Sequence, residues 1–300
     1  MSELKVPYGV IPVPPTPFDA EGEINFPVLG RMIDYMIEGG VHWICIGGSS
    51  SEYTAMSAEE RRALLKYGAE AIGDRVPKMA STGCHYLKHT LELTQYAIDL
   101  GYDAIMLLTP YHMKAGAPGM VDYYKTVAAA FPEMGFVIYD SPGLTNVDIP
   151  REAILELADV PNIVGIKHSV GIYENNRLID EIRTQGKQLN VMQGNDQMLL
   201  VNLAQGGRGV ISNVSALLPR ELVTIYERMM ANDLAGAQEA DLKVRHMISL
   251  LQSGLLPGPI KAALKMLGFD CGAPRLPVPP CSAELEQKLR AELRLIGYDV

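Results

Sequence analysis

Short continuous apolar runs alternate along most of this chain with longer stretches in which apolar residues recur at helical spacing. The joints repeat too. A helical stretch closes on glycine and an apolar run follows at once, in EGGVHWICIGG at Gly39-Gly40, in LGYDAIMLLTP at Gly101 and in QGGRGVISN at Gly206-Gly207. Glycine suits the position just past a helix because it adopts positive φ without a side-chain clash. Runs that are apolar throughout, rather than alternating, fit strands covered on both faces. The pattern predicts eight strands: Val10–Val13, His42–Gly47, Lys78–Gly83, Ala104–Thr109, Gly135–Asp140, Ile163–Ser169, Asn190–Asn195 and Arg208–Asn213. Amphipathic stretches such as FPVLGRMIDYMIEGG separate them, and one opens on a capping box from Ser57 to Glu60. The last interval leaves room only for a brief helix at Gln197–Ala204.

Eight β-to-α alternations predict an α/β fold, a closed (β/α)8 barrel of the TIM type. The rival open, doubly wound sheet commonly carries a glycine-rich phosphate loop after its first strand, and neither GxGxxG nor GxxxxGK[ST] occurs here. After Asn213 the alternation stops. Helical stretches are predicted at about 219–252, 257–268 and 282–296, interrupted by APRLPVPP. The expected organisation is therefore a barrel over 1–218, with the last barrel helix and a C-terminal helical extension over 219–300 packed on it.

Composition narrows the partners. A net charge of −9 without a polybasic stripe argues against nucleic acid and anionic membranes. Cys45, Cys84, Cys271 and Cys281 form no CxxC pattern, which fits reduced thiols in the cytoplasm. The N-terminal segment has no basic start followed by an apolar run, and no apolar stretch approaches the roughly 20 residues of a membrane helix.

Barrel enzymes do their chemistry at the C-terminal ends of strands. Lys78 starts its strand, at the wrong end, whereas Lys167 comes late in NIVGIKHSVG. Alternation puts Ile163, Gly165, Lys167 and Ser169 on one face of that strand and Val164, Ile166 and His168 on the other. With the glycine-bearing face inward, Lys167 points into the barrel, where desolvation lowers an amine's pKa and frees it to form imines with carbonyl compounds. A structural lysine paired with a buried carboxylate fits the same placement. Tyr139 holds the equivalent late position one strand earlier, suited either to proton transfer or to plain packing. The loop from Gly47 to Glu52 offers serine hydroxyls and backbone N–H groups for a carboxylate. Cys84, His85 and His89 carry no matching acidic ligand, so a zinc aldolase reading is set aside.

Taken together, IPVPPTPFDAEGEIN, GVHWICIGGSSSEYTAMSAEER, GYDAIMLLTPYH, VIYDSPGLTNVDI, NIVGIKHSVG and GGRGVISN resemble the dihydrodipicolinate synthase / N-acetylneuraminate lyase family over nearly the whole chain. The resemblance implies a class I, pyruvate-dependent aldolase. Lys167 then matches the imine-forming lysine and Tyr139 the proton-shuttling tyrosine. Ser49 and Ser50 match the hydroxyl residues that hold the substrate carboxylate, and Ile211 a position whose backbone lines the keto-acid pocket. By analogy with the sialate lyase branch, Ser169, Gly194, Asp196 and Ser212 meet the distal hydroxyls. Tyr111 is followed by His112, where many members have a second tyrosine that a neighbouring subunit uses in its proton relay. The resemblance also implies a homotetramer built from dimers.

Other departures bear on the substrate. Leu144 stands where the synthase branch has an arginine for its dicarboxylic substrate, and Gln197 where the sialate lyase branch has a glutamate. Asp140 replaces the usual asparagine and Ser51 the usual glycine. The expected function is a Schiff-base lyase acting on pyruvate and an aldehyde, on a 2-keto-3-deoxy sugar acid or a related hydroxylated 2-oxo acid. It needs no metal or organic cofactor, because the iminium is the electron sink. The alternatives are dihydrodipicolinate synthesis or sialic acid cleavage proper, dehydration or deamination through the same imine, and a keto-acid-binding regulatory barrel.

Overall fold

A computed structural model of the chain describes residues 4–111 and 115–300. Eight strands run through it: β1 (Gly9–Pro12), β2 (Ile44–Ile46), β3 (Lys78–Ser81), β4 (Ala104–Leu108), β5 (Gly135–Asp140), β6 (Ile163–His168), β7 (Asn190–Gln193) and β8 (Gly209–Ser212). They make one parallel sheet in the order β2 to β8, with β1 beside β8. The Ala-Ile-Met-Leu-Leu run of β4 and the apolar stretches of β5 and β6 are buried along their whole length, as expected of strands covered on both faces. Helices stand between the strands and only helices follow β8 among the described residues, the order of the α/β barrel class that was predicted. All eight predicted strands are present, most of them one or two residues shorter than expected.

Chain contacts divide the described residues into two units. The first, residues 4–9 with 77–211, holds β3 to β7 and most of β8. Its glycines Gly101 and Gly206 take φ of +74° and +98° on leaving their helices, the conformation anticipated from the helix–glycine–strand joints. Gly209 opens β8 at φ +144°, pressed against the Gly9 backbone carbonyl so closely that no Cβ fits.

The second unit, residues 10–76 with 212–300, contains β2, most of β1 and the C-terminal helices. His42 N–H donates to the Val10 carbonyl at 3.0 Å, joining the approach to β2 with β1. The predicted capping box is formed: Ser57 Oγ accepts from Glu60 N–H, and Glu60 Oε2 accepts from Ser57 N–H. One expectation needs correction. The helical stretch at 219–252 is two helices, Pro219–Met230 and Leu234–Gln252. Asn232 takes a left-handed φ of 59° between them, and Asp233 caps the second by accepting from Gly236 N–H at 2.9 Å.

Candidate active site

β5 and β6 pair in parallel, with Tyr139 opposite Lys167 and Asp140 opposite His168. The His168 ring meets Asn175 of the helix Ile172–Thr184, Nδ1 to Oδ1 at 3.3 Å, so its face of the strand is the one that meets the helices. Strict alternation puts Lys167 and Tyr139 on the opposite, inner face. Both are buried, and Lys167 Nζ sits 4.1 Å from the centre of the Tyr139 ring. Among the described residues no carboxylate forms an ion pair with Lys167. The tyrosine is held by its neighbour strand: Thr109 N–H and Oγ1 both donate to the Tyr139 carbonyl, at 3.1 and 2.9 Å.

The end of β7 adds two predicted residues. A Cβ built on Gly194 would overlap Ser169 Oγ and stand 3.2 Å from Lys167 Cε, so the absent side chain makes room for both. The Gln193 side-chain carbonyl fixes this turn by accepting from Gly194 N–H at 2.8 Å and Asn195 N–H at 3.1 Å. Ile211 is fully buried in β8, one residue past the Gln193–Val210 register pair. Asp196 is buried in the single turn Asp196–Met198. Lys167, Tyr139, Ser169 and Gly194 are thus brought together, with Ile211 and Asp196 at the ends of the neighbouring strands.

In the second unit, Ser49 and Ser50 belong to a tight turn, Ser49–Ser51, that follows β2. Ser51 Oγ donates to the Pro14 carbonyl at 2.7 Å, while Ser49 and Ser50 are half-buried and make no hydrogen bond through their hydroxyls among the described residues. Glu52 ends the turn in a left-handed conformation, φ 61°. Its buried carboxylate takes Lys261 Nζ at 2.6 Å and Arg275 N–H at 2.8 Å. Burial draws the Lys261 ammonium below its usual range and the Glu52 charge offsets this in part. The Phe18 ring lies 4.3 Å from Lys261 Nζ and 4.2 Å from the Arg275 guanidinium, which also binds Glu60 and the carbonyls of Ala55 and Gly22. Ser212 Oγ lies 3.1 Å from Ser215 Oγ and accepts from Ser215 N–H at 3.3 Å, which ties it to the turn after β8.

His112 lies outside the described residues. Tyr111 packs edge-on against His85, and His89 against Tyr86, while Cys84 contacts Thr90. Among the described residues no three His, Cys, Asp or Glu side chains are grouped to hold a metal ion. Nor is any described helix long and apolar enough to cross a membrane.

A model of the dihydrodipicolinate synthetase family matches residues 6–296. The chain belongs to this family. It is a lyase of the class I, pyruvate-dependent aldolase kind. Among its relatives, the 4-hydroxy-tetrahydrodipicolinate synthase of Bacillus subtilis is 33% identical over 270 residues, covering 90% of this chain and 92% of its own. That of Acetivibrio thermocellus is 31% identical over 94% of each chain. The crystal structure of dihydrodipicolinate synthase from Aquifex aeolicus superposes with a TM-score of 0.90 at 30% identity, covering 96% of this chain and 97% of that one. The chloride-inhibited enzyme of Acinetobacter baumannii, complexed with pyruvate, gives 0.92 at 28% identity over 98% and 99% of the two chains.

Within this dihydrodipicolinate synthetase family chain, Leu144 is 60% exposed on the helical turn Pro142–Thr145 that follows β5. The sequence reading missed three contacts, two in the first unit and one in the second. Thr109 fastens Tyr139, Lys261 grips the serine turn through Glu52, and Asp140 meets His168 behind the Lys167–Tyr139 pair. The first carried a signal, a threonine closing an apolar strand. The second joins residues far apart in the chain and carried none.

Proposed function

We propose that this protein is a Schiff-base lyase that makes or breaks a carbon–carbon bond between pyruvate and an aldehyde, on a 2-keto-3-deoxy sugar acid or a related hydroxylated 2-oxo acid. The observation that carries this reading is the buried Lys167 nitrogen, 4.1 Å from the centre of the Tyr139 ring and without a carboxylate partner among the described residues. Its nitrogen adds to the C2 carbonyl, water leaves, and an iminium forms. In cleavage, the Tyr139 phenolate takes the proton of the C4 hydroxyl and the C3–C4 electron pair flows into the iminium. Aldehyde departs. The remaining enamine takes a proton at C3, and water hydrolyses the imine to pyruvate and the free amine.

Ser49 and Ser50 anchor the carboxylate in this scheme, and the Ile211 backbone lines the keto-acid pocket. Ser169, Gly194, Asp196 and Ser212 face the distal hydroxyls, and His112 completes the proton relay. The working form is a cytoplasmic homotetramer, for which sedimentation gives the mass. Borohydride with pyruvate should attach a three-carbon fragment to Lys167. Unmodified Lys167, with turnover abolished by a chelator, would sink the reading.

A second reading, 4-hydroxy-tetrahydrodipicolinate synthase, is favoured by the names of the relatives. Against it stands Leu144, an exposed apolar side chain with no bidentate grip on a second carboxylate. Pyruvate release from a panel of 2-keto-3-deoxy acids and sialic acid, beside an assay for synthase product, separates the two.

A further inference from the structure

One residue beyond the Tyr139–Lys167 pair, on the helix-facing side of the same two strands, Asp140 stands opposite His168. Both side chains are buried, and His168 Nε2 lies 3.6 Å from Asp140 Oδ2. Among the described residues neither carboxylate oxygen of Asp140 accepts a hydrogen bond of normal geometry. The groups around the pair can be named element by element. β6 supplies His168; the segment after the turn Pro142–Thr145 supplies the Asp148 carboxylate and the Ile149 N–H. The helix Gly116–Ala130 supplies the Tyr124 phenol, which burial keeps neutral. The helix Ile172–Thr184 supplies Asn175, which in turn donates to Asn202 at 2.9 Å. No lysine is among them, and Arg151, which lines the cleft beside His168, is paired with Glu174 and Glu181. A bare carboxylate in such a place is costly, and the Asp148 charge that acts on it has the wrong sign.

We propose that Asp140 and His168 are positioning residues that hold one proton between them, and that this proton keeps the ends of β5 and β6 clasped so that Tyr139 and Lys167 stay apposed. The clasp lies directly behind the two side chains to which the proposed chemistry is assigned, and it rests on that reading only for its catalytic consequence. A cleft of about 250 Å³ reaches His168, between Asp148, Arg151 and Glu174, so the pair exchanges its proton with solvent.

Burial, reinforced by Asp148 and partly offset by the Ile149 amide, pushes the Asp140 carboxyl up to about 7. Burial pulls the His168 imidazole down to about 4, against the pull of Asn175. The signs are opposite. Asp140, raised, adds stability at low pH that is lost as pH climbs through about 7. His168, lowered, adds stability above its ordinary value of 6.5 that is lost as pH falls through about 4. Between those limits the pair is neutral and carries a single proton.

Asp140→Asn keeps the shape and cannot ionise. Raising pH from about 6 to about 8.5 should lower the wild-type melting temperature and slow borohydride-trapped pyruvate addition at Lys167 by up to about thirtyfold, the fall in the protonated fraction of one group with its midpoint near 7. The variant should lose neither. Parallel decline in variant and wild type overturns the proposal. If pyruvate is trapped in neither protein at any pH, the lyase reading fails, and the melting curves still decide the clasp. Should the variant not fold, the carboxyl carbon-13 shift of Asp140 in the wild-type protein decides it. A midpoint near 7 supports the clasp, and one near the ordinary carboxylate value overturns it.

Discussion

Two buried lysines in this protein have opposite surroundings. Lys261 is neutralised by Glu52 at 2.6 Å, whereas Lys167 lies against the face of Tyr139 at 4.1 Å and pairs with no carboxylate among the described residues. The first is a structural ion pair. Replacing Lys261 by methionine leaves the Glu52 carboxylate buried without its counterion and should lower stability by about 3–5 kcal/mol, read by denaturant unfolding. Lys167→Ala should leave stability nearly intact while abolishing the trapped pyruvate adduct in mass spectra. Tyr139→Phe retains the ring and removes the proton carrier, so kcat should fall about 10²- to 10⁴-fold while the adduct still forms.

At the level of elements, the close approach of Gly209 to the Gly9 carbonyl fixes where β8 meets the chain start. Gly209→Ala adds a Cβ at φ +144° and into that carbonyl, and should cost at least about 2 kcal/mol in unfolding free energy. The strands were legible because each is a continuous apolar run bounded by glycine or a turn, and the Lys167 and Tyr139 positions followed from their place near strand ends. The break at Asn232 was not. Ala231, Asn232 and Asp233 keep helical periodicity intact, and only the left-handed φ and the Asp233 cap reveal the end. The Asp140–His168 contact was hidden for another reason. Alternation assigns a face to each residue, but only strand register says which residue of the next strand it meets.

At the scale of the whole chain, the grip on the serine turn comes from Lys261 and Arg275, long after β8 has ended. A protein cut after Gln252 leaves the buried Glu52 carboxylate without Lys261 and Arg275 and should unfold at lower denaturant, read by circular dichroism. The same anchorage has a consequence during synthesis. A nascent polypeptide emerging from the ribosome already carries its tyrosine and lysine, yet the serine turn finds its anchors only after the last helices begin to leave the exit tunnel. Order in that turn therefore arrives well after the strand that leads into it has been made.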